Sequence, residues 1–139
     1  MANDVTIQKI QDGPRNTTIK VQGKLDTSDL TQQTLVDPAT LDGIDNTGTL
    51  KAQGLLIKRI IYNVEDLLSV SLLWDATTPV RIEDLEGRGY MGFGDFGGLT
   101  NNGGAGVTGK ILISTQGWSS GAVLSFSLVI ELVKTQQVQ

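Results

Sequence analysis

The sequence predicts an all-β protein, an antiparallel β-sandwich of jelly-roll-like type. Three observations carry this. Apolar residues alternate with polar ones at period two through most of the chain, most clearly where Leu124, Phe126, Leu128, Ile130 and Leu132 interleave with Ser125, Ser127, Val129, Glu131 and Val133. Turn residues punctuate these runs at short intervals. Ten of the seventeen glycines crowd between Gly87 and Gly109, where each would cost a helix about 1 kcal/mol relative to alanine. That stretch is expected to be a long loop led by its backbone.

Taken in order, Asp4 to Ile10 forms a first strand, with Val5 and Ile7 on one face and Thr6 and Gln8 on the other. The Gln11-Asp-Gly-Pro14 turn ends it. Arg15 to Gln22 resumes the alternation through Thr17, Ile19 and Val21, and the polar Gly23 to Ser28 reads as connection. Thr31 to Val36 is a short strand stopped by Asp37-Pro38, and Asp42 to Gly48 is a loop. Leu50 to Asn63 fits a strand or a short helix by periodicity alone, and its β-branched content favours the strand. Leu68, Val70, Leu72 and Trp74 then alternate with Ser69, Ser71, Leu73 and Asp75, which places Trp74 in the core. Asn63 to Asp66 reads as the hairpin joining those two strands. Thr78 to Leu85 is an edge strand, because Pro79 cannot donate to a ladder. Lys110 to Thr115 and the run from Leu124 to Val133 complete roughly seven to nine strands, with Trp118 and Gly121 framing the last turn. The 139 residues form one domain with a short polar tail, Thr135 to Gln139.

Composition narrows the chemistry. The chain has no cysteine and no histidine. Disulfides, the usual His/Cys zinc sites and Ser-His or Cys-His nucleophiles are therefore excluded, and the reading is of a protein that is not an enzyme. Eleven scattered basic residues against fifteen acidic ones give a net charge of −4, which argues against nucleic acid as a partner. The longest apolar segment, Ala122 to Val133, is too short and too interrupted to span a membrane as a helix, and the N-terminus does not read as a signal peptide.

Several motifs imitate known sites. Gly104-Ala-Gly106-Val-Thr-Gly109 fits the dinucleotide fingerprint, and Gly104 to Lys110 fits most of a phosphate loop. Both need a helix directly after the glycines, and Ile111 and Ile113 read as strand instead. Asp95-Phe96-Gly97 spells a kinase triplet in a chain far too short for a kinase. Glu83, Asp84 and Glu86, and the loop Asp42 to Gly48, offer oxygen ligands for calcium without matching a known calcium loop, so no metal and no cofactor is assigned. The aromatics Tyr90, Phe93, Phe96 and Trp118, in or beside the glycine stretch, either tuck onto the sandwich or form an exposed platform for a protein or a sugar.

Asp12-Gly-Pro-Arg-Asn16, Leu35-Val-Asp-Pro38, Leu73-Trp-Asp-Ala-Thr-Thr78, and Phe96-Gly-Gly-Leu99 with Asn102, Gly104, Gly106 and Thr108-Gly109 resemble a family of small virion structural proteins of tailed bacteriophages. The resemblance implies a capsid decoration (cement) protein, a homo-oligomer that binds the major capsid protein or other virion proteins after assembly in the host cytoplasm. A tail or head–tail junction protein, or a carbohydrate-binding β-sandwich, would share these features. The contact surface is expected in the glycine stretch and its flank, at Tyr90, Phe93, Phe96, Leu99, Asn102 and Trp118.

Overall fold

A computed structural model describes residues 3–13, 15–41 and 52–135. Among them lie nine strands: β1 (Asp4–Asp12), β2 (Asn16–Leu25), β3 (Gln33–Val36), β4 (Gly54–Val64), β5 (Ser69–Trp74), β6 (Val80–Leu85), β7 (Arg88–Gly92), β8 (Ile111–Gln116) and β9 (Leu124–Thr135). They form two antiparallel sheets, β1-β2-β9-β4-β7 and β3-β8-β5-β6. The pairs β2 with β9, β3 with β8, β4 with β7 and β5 with β6 nest inside one another, as if one long hairpin had been rolled up. β1 adds an edge outside β2.

Outside edge strand β1, whose Ile7 and Ile10 are exposed, the period-two apolar residues face inward as their pattern requires. Ile19, Val21 and Leu25 of β2, Ile57, Ile60 and Val64 of β4, and Leu124 to Leu132 of β9 supply one wall of the core. Val70, Leu72 and Trp74 of β5 and Ile111 and Ile113 of β8 supply the other. Trp74 is fully buried, as its phase with Leu68, Val70 and Leu72 predicts. β6 is the edge of its sheet and begins just after Pro79, so the missing N–H falls outside the ladder.

Three expectations are corrected. Asn63 to Asp66 is not a hairpin between paired strands, because β4 and β5 belong to different sheets. The ladder of β4 with β9 continues to Val64 and Phe126, and the corner Glu65–Leu68 then carries the chain across the core. Both strands carry a full apolar face, and two such faces are buried best by opposing one another across a core. Second, the glycine stretch is not all loop, since β7 occupies Arg88–Gly92. Its glycines make room for rings: a Cβ on Gly89 would lie 2.6 Å from the Tyr62 hydroxyl. Third, β2 runs on through Gly23 to Leu25. Gly23 pairs with Phe126, whose ring fills the space a side chain at Gly23 would need. The loop Asp42 to Gly48, with its calcium reading, lies outside the described residues.

A buried ion pair fastens β1, β2 and β9 together. The Lys134 side chain is 0% exposed, and its Nζ lies 2.5 Å from Asp12 Oδ1 and donates to the Gly13 carbonyl at 2.6 Å. Asp12 Oδ1 also accepts from the Thr17 hydroxyl at 2.9 Å, and the Lys134 backbone N–H donates to Arg15 O. Lys134 holds an inward position at the end of the alternation, where its long apolar stem packs and its ammonium meets the hairpin turn.

Candidate functional site

The roll places its connections at two ends. The β2–β3, β4–β5, β6–β7 and β8–β9 connections share one end, and the β1–β2 turn, the β5–β6 turn and the glycine loop share the other. This divides the sequence-predicted contact residues. Tyr90 lies on the outer face of edge strand β7. Phe93, half-buried, and Leu99 pack against the core, and Asn102 is exposed in the glycine loop. Trp118 sits at the opposite end, after β8. Phe96 closes a 3-10 turn, Gly94–Phe96, and its side chain lies outside what is described.

The glycine loop is held down along its length. The Phe93 N–H donates to Lys58 O at 2.8 Å, and Ile57 and Leu99 exchange both backbone hydrogen bonds. Buried Asn101 accepts from the Gly103 N–H through its side chain. Farther on, Thr77 N–H donates to Ala105 O, the Thr108 hydroxyl donates to Asp75 Oδ2 at 2.7 Å, and Asp75 N–H donates to Lys110 O. Two of the three fingerprint glycines serve this packing: a Cβ on Gly106 would collide with Thr77, and one on Gly109 with the Gln53 carbonyl. Directly after Lys110 comes strand β8, so the helix N-terminus that either nucleotide motif requires is not at this position.

The acidic residues of β6 are engaged with neighbours. Asp84 accepts from the Ser71 hydroxyl at 2.6 Å and from Arg81 at 3.2 Å, and Glu83 accepts from the Asp84 N–H. Among the described residues no group of three acidic side chains is placed to hold a metal ion. Nor is any described helix long and apolar enough to cross a membrane.

At the end that carries Trp118, two loops are clamped together. Glu65 N–H donates to Ser125 O, and Ser125 N–H donates back to the Glu65 carboxylate at 3.0 Å. Gly117 lies so close to the Leu67 carbonyl that a Cβ there would strike it. Trp118 is half-buried against the core, its indole N–H given to Ala122 O and its backbone N–H to Asp29 Oδ1. From this rigid base Leu67 projects, 87% exposed and held at φ 74°, with Val123 54% exposed at the same end. A leucine at positive φ is rare, since its Cβ crowds the following carbonyl. Sequence reasoning missed Leu67 because the corner was read as an ordinary hairpin turn.

A second feature lies on the outer face of the five-stranded sheet. Tyr90 is 63% exposed beside Ile61 and next to a surface depression of about 360 Å³ lined by Lys58, Arg59, Gly92, Gly94, Asp95 and Glu131. Arg59 pairs with Glu131 across the β4–β9 ladder, and its guanidinium sits 5.8 Å from the Tyr90 ring centre. Only the outward phase of Glu131 signals this cluster in the sequence, because cross-strand register is not encoded locally. Compared with protein-family models, curated proteins and solved structures, the chain matches none of them.

Proposed function

We propose that the protein is a structural component of a tailed-bacteriophage virion, a capsid decoration protein that attaches to the major capsid protein through the end bearing Leu67 and Val123. The family resemblance of the sequence supports this reading. So does the nested pairing of β2 to β9, the order that a jelly roll's two Greek keys would give. The observation that carries the reading furthest is Leu67: a large apolar side chain, almost fully exposed, in a backbone conformation that folding alone disfavours. Copies arranged about a symmetry axis would each add a modest contact, and multivalency would make the attachment tight.

Leu67→Gly separates contact from folding. Glycine tolerates the positive φ, so the melting temperature is expected to hold or rise slightly. Occupancy on shells lacking the protein, measured by sedimentation with the particles, is expected to fall at least tenfold for Leu67→Gly combined with Val123→Asp. Undiminished occupancy of that variant would remove the proposal.

A further inference from the structure

We propose that the depression beside Tyr90 is a carbohydrate site that takes a neutral pyranose. This rests on the outer sheet face alone and is independent of attachment to a shell.

The floor is built by what is missing. A Cβ on Gly92 would stand 2.9 Å from the Tyr90 hydroxyl and 3.4 Å from Cζ, so the phenol lies down along β7 over Gly92. The ring is thereby held along the sheet surface and remains 63% exposed. A pyranose carries a patch of C–H groups on one face, and the electron-rich face of an aromatic ring attracts those weakly positive hydrogens. The Arg59 guanidinium, tied to Glu131, stands over the ring 5.8 Å from its centre, so a pyranose stacks on the part of the ring that stays exposed.

The rest of the lining suits hydroxyls. Lys58 is a donor and Asp95 an acceptor, Arg59 and Glu131 are paired with each other and offer only the polar atoms outside that pair, and glycines 92 and 94 leave room between them. Hydroxyl groups both donate and accept, so a mixed set of donors and acceptors within one depression can satisfy several of them. The volume, about 360 Å³, falls within the roughly 300–1,000 Å³ usual for small-ligand sites. Two cations and two carboxylates balance, which favours an uncharged sugar over a sialylated or sulfated one. The carboxylates and the chain's net charge of −4 also disfavour a nucleic acid strand stacking on the same ring. An apolar peptide would find little to bury beyond the ring and Ile61.

The test is an array of neutral oligosaccharides ending in glucose, galactose, mannose or N-acetylhexosamine, with sialylated glycans, sulfated glycans and single-stranded DNA printed alongside. Wild type is expected to bind a subset of the neutral glycans. Titration of a hit followed by NMR is expected to shift backbone signals of Arg59, Tyr90, Gly92 and Glu131. Tyr90→Ala is expected to weaken that binding by about tenfold, the worth of a lost aromatic stacking contact. Tyr90→Trp keeps it, and Asp95→Asn weakens it while leaving the melting temperature unchanged. Binding of no neutral glycan, binding confined to the charged probes, or equal binding by Tyr90→Ala overturns the proposal.

Discussion

Asp12→Ala is expected to destabilise the protein by about 3 to 5 kcal/mol, because it takes a carboxylate away from a buried ammonium. In the native state the Lys134 side chain has no exposure, and Asp12 Oδ1 at 2.5 Å is its countercharge. The same carboxylate oxygen accepts from the buried Thr17 hydroxyl, so the substitution removes two bonds at one point. Lys134 keeps its bond to the Gly13 carbonyl, a neutral acceptor that does not replace the Asp12 carboxylate. Lys134→Met is expected to cost less, since Asp12 retains Thr17 and has Lys9 at 3.9 Å on the surface side. The double variant Asp12→Leu with Lys134→Met is expected to recover much of the loss, as replacement of a whole buried pair by apolar groups commonly does. Urea melts of the four proteins, followed by circular dichroism, check the ordering. Equal stability of Asp12→Ala and wild type would contradict it.

Gly109→Ala is expected to cost about 3 kcal/mol, and Gly104→Ala only about 1 kcal/mol, the price of placing alanine at positive φ alone. Both glycines have left-handed backbone, φ 86° and φ 76°. At Gly104 nothing lies within 4 Å of a new methyl group, whereas at Gly109 the methyl would collide with the Gln53 carbonyl oxygen and press on Pro38. Gln53 is itself bonded to Thr135 O, so the obstruction is backbone held by a neighbouring strand. Gly106, whose methyl would strike Thr77, belongs with Gly109. A dinucleotide loop would instead spread its dependence across the glycines as a loss of ligand. Thermal melts of the single variants separate the two readings, and a Gly104→Ala variant as unstable as Gly109→Ala would count against the packing account.

Legibility in the sequence follows the one-sided burial of strands. β9 and β5 were readable because each buries one face, so Phe126, Leu128 and Ile130, or Val70, Leu72 and Trp74, mark the core directly. β7 was not. Its Gly89 and Gly92 look like loop residues locally, yet they are small because the Tyr62 and Tyr90 rings occupy the space of their side chains. Turn chemistry around Asn63 and Asp66 announced a reversal but carried no information on whether the next strand would pair or cross to the other sheet. The candidate sites were legible only in part. Tyr90 was singled out as an aromatic, but its outward face depends on register with Ile61, and its neighbours Arg59 and Glu131 come from distant strands. Trp118 carried the same sequence signal and is half-buried, because Ala122 and Asp29 satisfy both of its N–H groups. The Asp12–Lys134 pair joins the two ends of the chain and left no local trace.

The central claim is attachment to a viral shell through the Leu67 end of the roll. An electron-microscopy map of assembled particles at a resolution that shows strands tests it most directly. The account predicts the sandwich on the outer surface of the shell, with Leu67 and Val123 against the major capsid protein and the Tyr90 face turned to solvent. Particles without the sandwich on their shell, or a sandwich seated there with Leu67 and Val123 exposed, would contradict it.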